Sequence, residues 1–154
     1  MSIWKGRSYD DFEPGQQFKH WPGKTILDAD NHWFTLLTLN TNPLHFDENH
    51  AKERGWEKVL VNSCYTLALV TGMSVRDISQ NVMANLGFDE VRFTKPVYAG
   101  DTLYAETAIL EKRLSNSRPD HGIVAVETRG VNQRGEIVMT LKRSILVPRR
   151  AQTE

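Results

Sequence analysis

The segment "SCYTLALVTGMS", which begins at Ser63, is apolar on almost every face when it is wound as a helix. A helix that is apolar all round is normally buried, because no face of it gains from contact with water. The rest of the chain must therefore supply elements that enclose this helix. With 154 residues, no low-complexity tract and no linker, the sequence predicts one domain over residues 1–154 with one core.

Three segments after residue 100 alternate apolar and polar residues with a period of two, which is the pattern of half-buried β-strands. They are "DTLYAETAILEKRL", "GIVAVETRGVN" and "EIVMTLKRSILV". Between the last two, "NQRG" predicts a hairpin turn in which Gly135 can take a positive φ. With "FDEVRFTKPV" and "QFKHWPGKTI" they give about five strands. The predicted class is α+β, with an antiparallel sheet wrapped around the buried helix.

Two further helices are predicted before the buried one. "DADNHWFTLL" starts with the capping-type residue Asp28 and should end near Pro43, which disfavours helical geometry at the residue before it. Asp47 is predicted to be the N-cap of a short helix that stops at Gly55. Aromatic residues and the one cysteine of the apolar helices are expected in the core: Trp33, Phe34, Cys64 and Tyr65.

Charge and composition exclude several classes of partner. Lys and Arg number 19, as do Asp and Glu, and no long run of either sign suggests a nucleic-acid groove or a polybasic membrane contact. No apolar stretch has the length of a membrane span, and "MSIWKGRSYDDF" lacks the apolar segment of a secretory signal. A single cysteine cannot form an internal disulfide, so we expect a cytoplasmic protein. A sheet covered by one helix leaves exposed edges, which predicts a homodimer or a higher oligomer of dimers.

Histidines and carboxylates cluster around residue 45. His45, Asp47 and His50 raise the question of a metal site, but a turn separates His45 from the helix that holds His50. Zinc sites with histidine ligands usually show helical i, i+4 pairs or cysteines, so we predict no metal. The remaining histidines have no motif around them and are expected on the surface: His20, His32 and His121.

Three segments carry a resemblance to a known family. "NPLHFD", "VLVNS" downstream of it and "FTKPVYAGDTLYAE" resemble the MaoC-like hydratases and dehydratases, which include the R-specific enoyl-CoA hydratases, and the resemblance covers about residues 13–148. It implies a hot-dog fold, in which an antiparallel sheet wraps a long central helix, usually as a dimer. It also implies a coenzyme A or acyl-carrier thioester substrate, no separate cofactor, and reversible addition of water across C2=C3.

The resemblance assigns His45 to the position of the family's catalytic histidine. Family members commonly place an aspartate five residues before it, where this chain has Asn40. An amide can orient a water molecule but cannot take up a proton near neutral pH. We therefore expect His45 to be the sole general base, returning the same proton to C2, with Asn40 positioning the water.

A second departure lies at "VNS", where R-specific hydratases usually read His-Gly. Asn62 and Ser63 occupy these positions, and the N–H of Ser63 would donate to the oxyanion that forms on the thioester. Ser63 alternatively serves only as the N-cap of the helix.

The departures at Asn40 and "VNS" resemble the branch of the family that handles short branched dicarboxylyl-CoA esters, such as mesaconyl-CoA and methylmalyl-CoA. The second carboxylate of such an acyl group needs a polar or cationic partner. Candidates for it are Asn62, Arg92 and Arg118, and candidates for the coenzyme A phosphates are Arg92, Lys95 and Arg113.

Two alternatives to the hydro-lyase remain open. A hot-dog thioesterase usually employs an Asp or Glu on the central helix, and here that helix has no carboxylate before Asp77. A non-catalytic acyl-CoA-binding subunit would explain why Asn40 replaces the acid. The fold alone cannot choose among them, because one fold hosts several chemistries.

Overall fold

A computed structural model describes residues 3–150, which form a six-stranded antiparallel sheet and three α-helices. Short helical turns at Tyr9–Asp11, Pro43–His45 and Val75–Ser79 complete the structure. The helices are α1 (Asp28–Leu37), α2 (Glu48–Glu53) and α3 (Ser63–Met73). The strands are β1 (Gln17–Lys19), β2 (Lys24–Thr25), β3 (Ala84–Phe93), β4 (Thr102–Leu114), β5 (His121–Asn132) and β6 (Ile137–Pro148).

The sheet has the order β1-β4-β5-β6-β3, and β2 also pairs with β4. The three long strands are the three alternating segments of the sequence, and Gly135 takes a φ of 78° in the turn between β5 and β6, as predicted. "QFKHWPGKTI" forms two short strands instead of one, so the sheet has six strands where about five were expected.

Helix α3 packs on one face of the sheet. Its Val70 is fully buried in a cluster with Leu103, Met139 and Leu141. Gly130 on β5 permits this close approach, because a Cβ at that position would lie 2.7 Å from Cγ2 of Val70. The absence of a side chain on β5 thus sets how near the helix sits to the sheet.

The opposite face of α3 is open, which corrects the expectation that this helix is buried on all sides. Thr66 and Val70 are buried, whereas Cys64 and Ala68 are exposed. Within residues 3–150 the sheet covers one face only, and a pattern of apolar residues does not say which element covers the other.

Helix α1 shows the same departure. Trp33 was predicted in the core but is 68% exposed, while Phe34 and Tyr65 are half-buried and contact each other edge to face, with ring centroids 5.5 Å apart. The structure therefore carries apolar surface on α1 as well as on α3.

His20 and His121 were predicted on the surface, and both are buried. Nδ1 of His20 lies 2.9 Å from a carboxylate oxygen of Asp77, and its Nε2 lies 2.7 Å from the hydroxyl of Thr107. That hydroxyl lies 2.9 Å from the hydroxyl of Thr128 on the next strand. The partners of His20 lie far from it in the chain and leave no local sequence signal, which is why its burial was not predicted. Nδ1 of His121 lies 2.7 Å from a carboxylate oxygen of the adjacent Asp120.

Candidate active site

A cavity of about 340 Å³ opens between the start of α3, the turn at Pro43–His45 and the chain after β3. Two of the three predicted catalytic residues, His45 and Ser63, line it. The other lining residues are mostly apolar: Trp56, Leu60, Val61, Thr66, Phe93, Thr94, Lys95, Pro96 and Val97.

The Asn-Pro turn places His45 at the cavity. The side chain of Asn42 accepts a hydrogen bond from the N–H of Leu44 at 3.1 Å, and Pro43 occupies the first position of the turn, where its missing N–H costs no hydrogen bond. Nδ1 of His45 lies 3.0 Å from the carbonyl oxygen of Leu60. A carbonyl only accepts, so Nδ1 carries the proton and the lone pair of Nε2 is available to a reactant.

Ser63 begins α3, but it is not the N-cap. Asn62 is the cap, and its side-chain oxygen accepts a hydrogen bond from the N–H of Cys64 at 2.9 Å. The alternative role of Ser63 as a cap is therefore wrong. Among residues 3–150 the backbone N–H of Ser63 has no acceptor, so a residue of the cavity lining carries an unused donor at the positive end of a helix dipole.

Asn40 does not line the cavity. Its side-chain oxygen accepts a hydrogen bond from the N–H of Asn42 at 3.0 Å, and its own N–H donates to the carbonyl of Thr35 at 3.0 Å. Asn40 therefore shapes the chain between α1 and the turn that carries His45, while its side-chain NH₂ makes no hydrogen bond within residues 3–150.

The three predicted substrate-binding residues lie outside the cavity lining. Asn62 is 3% exposed, and its side chain bonds the N–H of Cys64 and the hydroxyl of Thr35. Arg92 precedes Phe93 on β3 and points to the other side of the strand. Arg118 lies in the turn after β4, at the opposite end of that strand from the cavity.

The cation in the cavity lining is Lys95. Its Nζ lies 2.9 Å from a carboxylate oxygen of Glu136. Hydrogen bonds from Asn132, Lys95 and Arg134 lower the pKa of Glu136 to about 2. Glu136 is therefore ionised at neutral pH and holds Lys95 beside the cavity.

The start of α1 is also fixed electrostatically. A hydrogen bond from Lys24 at 2.6 Å, followed by one from the N–H of Leu27, holds the pKa of Asp30 below its ordinary value. A carboxylate in the first turn of a helix also favours the helix dipole. This anchors the helix that packs behind the cavity.

Sequence reasoning missed the residue next to it, Asn31. Asn31 lies on the buried face of α1, and its side chain bonds the backbone of His45, Leu60 and Asn62. A polar residue on the buried face of an apolar helix is the one signal that could have indicated it.

Within the described chain, residues 3–150, no three His, Cys, Asp or Glu side chains lie close enough together to hold a metal ion. None of the helices in that range combines the length and the hydropathy of a membrane span.

The chain is similar in sequence to known hydratases and dehydratases over most of its length. A family model described as mesaconyl-CoA hydratase matches residues 2–154. The chain is 35% identical over 147 residues to a mesaconyl-CoA hydratase of Haloarcula hispanica, covering 95% of this chain and 41% of that protein. It is 34% identical over 145 residues to a β-methylmalyl-CoA dehydratase of Chloroflexus aurantiacus, covering 94% of this chain and 41% of that protein.

The fold agrees with the sequence match. A crystal structure of a MaoC domain protein dehydratase from Chloroflexus aurantiacus superposes with a TM-score of 0.93 at 31% identity, covering all of this chain and 44% of that one. The chain thus spans about two fifths of the length of the curated relatives it matches. The match of the family model to residues 2–154 and the shared hot-dog fold show that the chain belongs to the mesaconyl-CoA hydratase family, among the MaoC-like hydratases and dehydratases.

Proposed function

We propose that this chain is a single MaoC-like hot-dog domain, with its core at about residues 13–148, that adds or removes water reversibly across C2=C3 of a short enoyl-CoA thioester. The observation that carries the proposal is that His45 and Ser63, whose N–H has no acceptor within residues 3–150, line the same cavity. Water is a poor nucleophile toward C3, so hydration needs a base for the water and a donor for the charge that develops on the thioester oxygen.

The proposed reaction uses one proton shuttle. Nε2 of His45 takes a proton from water as the water oxygen bonds to C3, and the π electrons of C2=C3 move to form the enolate. The N–H of Ser63 donates to the enolate oxygen. The imidazolium of His45 then returns the proton to C2, so one water is added and the enzyme is unchanged.

Asn40 supports this reaction from outside the cavity lining. Its side-chain oxygen accepts from the N–H of Asn42 and so holds the turn before His45. Orienting the attacking water, the role expected from the sequence, has no support from a contact of Asn40 within residues 3–150. Because an amide is neither protonated nor deprotonated to a useful extent near neutral pH, the acid–base steps are assigned to His45 alone.

The acyl group that fits best is short and branched. The relatives named above act on mesaconyl-CoA and β-methylmalyl-CoA, whose acyl groups carry a methyl branch and a second carboxylate. The apolar lining suits the methyl branch, and Lys95 suits the carboxylate. From the sequence, Lys95 was expected to meet the coenzyme A phosphates, and the residues expected to meet the carboxylate do not line the cavity: Asn62, Arg92 and Arg118.

The proposal includes a homodimer or a higher oligomer of dimers. The open face of α3 and the free edge of β3, which pairs only with β6 within the described residues, are surfaces that a second copy would cover. It also places the protein in the cytoplasm, where a lone cysteine stays reduced.

The thioesterase alternative is not favoured, because α3 carries no carboxylate from Ser63 to Met73. A thioesterase would need such a group, or another base near the thioester carbonyl, to direct water to the carbonyl carbon.

The test is an assay of the purified protein with mesaconyl-CoA, β-methylmalyl-CoA and crotonyl-CoA, read by mass spectrometry with a free-thiol assay. We expect a gain or loss of one water without thiol release. His45→Gln should lower kcat about 10²- to 10⁴-fold, the usual contribution of a general base.

His50→Gln, which changes a histidine on α2 outside the cavity lining, is the matched control and should leave kcat within twofold. A His45→Gln variant that keeps wild-type turnover would refute the mechanism. Thiol release would indicate a thioesterase, and binding with no change of mass would indicate a non-catalytic subunit.

A further inference from the structure

We propose that Asn31 is the positioning residue of this site and fixes both the tautomer of His45 and the start of α3. The expected effect on kcat rests on the proposed function, whereas the hydrogen bonds of Asn31 do not depend on it. Asn31 is 1% exposed and lies on α1, behind the cavity.

Three hydrogen bonds occupy the side chain of Asn31. Its Nδ2 donates to the carbonyl of His45 at 3.0 Å and to the carbonyl of Leu60 at 3.1 Å. Its Oδ1 accepts from the backbone N–H of Asn62 at 2.8 Å. A primary amide supplies two donors and an acceptor in one plane, whereas a carboxylate supplies no donor and an aliphatic chain supplies neither.

The first effect passes through Leu60. Its carbonyl oxygen accepts one hydrogen bond from Nδ2 of Asn31 and another from Nδ1–H of His45, at 3.0 Å. Both lone pairs of this oxygen are therefore used, and its direction is fixed from α1. Because this oxygen keeps the proton of His45 on Nδ1, Asn31 keeps Nε2 free to act as the base. For histidines that bind metals, loss of an outer partner that orients the ring costs about 10- to 100-fold in affinity or activity. We expect an effect of the same order on His45 as a base.

The second effect passes through Asn62. Oδ1 of Asn31 accepts from the backbone N–H of Asn62. The hydroxyl of Thr35, one turn further along α1, accepts from the side-chain amide of Asn62 at 3.3 Å. Residues i and i+4 of a helix lie on the same face, so both contacts come from one face of α1. The residue that precedes Ser63 is thus held on both its backbone and its side chain.

The two effects meet in one side chain. Asn31 bonds the backbone of His45 directly and the backbone of Asn62 directly, so the distance between base and oxyanion donor depends on a single buried amide. Loss of its donors should therefore impair turnover more than substrate binding.

The test compares Asn31→Asp, which is similar in shape but loses both donors, with the wild-type protein. ¹⁵N NMR of the histidine side chains, assigned with His45→Gln, reports which ring nitrogen of His45 carries the proton without any substrate. We expect the wild-type protein to show Nδ1–H, and Asn31→Asp to show a mixture of tautomers. With mesaconyl-CoA, kcat should fall about 10- to 100-fold and KM should change less than threefold.

Asn81→Asp is the control. Asn81 is half-buried, and its Nδ2 donates to the carbonyl of Arg7 at 3.2 Å, outside the cavity lining. It should lower the melting temperature without changing the His45 tautomer or kcat. Asn31→Ser, which is smaller and keeps one donor, should give an intermediate kcat, and it replaces Asn31→Asp if that variant does not fold.

An unchanged tautomer together with kcat within twofold of wild type, in either folded variant, would overturn the role of Asn31. The outcome is distinguishable from failure of the proposed function. A wild-type protein that is inactive on every ester, but whose His45 tautomer changes in Asn31→Asp, would refute the hydro-lyase and support the positioning role.

Discussion

Replacing Asn62 by alanine separates a structural role from a substrate-binding one. The substitution removes the cap on the N–H of Cys64, which is worth about 0.5–2 kcal/mol in comparable helices. It also removes the partner of the Thr35 hydroxyl, which is fully buried, at a cost of about 1–3 kcal/mol. The two contributions together give a loss of about 3 kcal/mol in the free energy of unfolding.

A loss of this size lowers the melting temperature by about 6–12 °C for a chain of this length. Urea unfolding followed by circular dichroism measures the free energy directly. Asn62→Ser keeps a cap oxygen without the amide, so it should recover about 1 kcal/mol of the loss. Thr35→Val combined with Asn62→Ala should show a coupling of about 1 kcal/mol, because the two side chains share one hydrogen bond.

The reasoning is refuted if Asn62→Ala costs less than about 1 kcal/mol, or if Asn62→Ser is no more stable than Asn62→Ala. A tenfold rise in KM for mesaconyl-CoA with unchanged stability would instead return Asn62 to the substrate-binding role expected from the sequence.

Two further substitutions test the electrostatics. Because the folded-state pKa of Glu136 is lowered to about 2, the stabilisation by its carboxylate is present above its ordinary pKa and is lost as pH falls toward 2. Glu136→Gln should therefore lower the urea midpoint at pH 7, and the difference from the wild-type midpoint should narrow below about pH 4.5. A difference that stays constant with pH would contradict this. Arg143 is buried, its Nε has no partner within residues 3–150, and burial lowers the pKa of its guanidinium. Arg143→Met should leave the melting temperature unchanged or raise it, because the side-chain partners of this charge within residues 3–150 are the hydroxyls of Ser74 and Ser79 and not a carboxylate. A loss above about 2 kcal/mol in the free energy of unfolding would contradict this expectation.

Local signals in the sequence predict local structure well here. Asp47 caps α2 as expected, since its side chain accepts from the N–H of His50 three residues later. Gly55 follows α2 with a φ of 83°, and Pro43 starts the turn at Pro43–His45, although α1 already ends at Leu37, before the expected "NTNP". The period-two segments become β4, β5 and β6 because alternation reports directly on a half-buried sheet. Each of these signals spans only a few residues.

The candidate site is predicted less completely, because its supports come from distant segments. His45 and Ser63 follow from the family motif, but the contacts of Asn31 join residues 14 to 31 positions apart. The position of the cap was missed by one residue, since Asn and Ser both cap helices well and only the geometry distinguishes Asn62 from Ser63. The exposure of Trp33 could not be predicted, because the sequence does not say which element, if any, covers α1.

The chain of hydrogen bonds from Asp77 through His20 and Thr107 to Thr128 helps to fix the register of the strands in the sheet. Its four members belong to four segments, namely the residue after β1, the helical turn at Val75–Ser79, β4 and β5. A slip of two residues between β4 and β5 would keep the apolar side chains on the same face, but it would separate the hydroxyls of Thr107 and Thr128 and leave buried polar groups without partners. The apolar residues of β4 and β5 tolerate several alignments, whereas this polar chain accepts one, so it selects among pairings that hydrophobic burial alone would not distinguish.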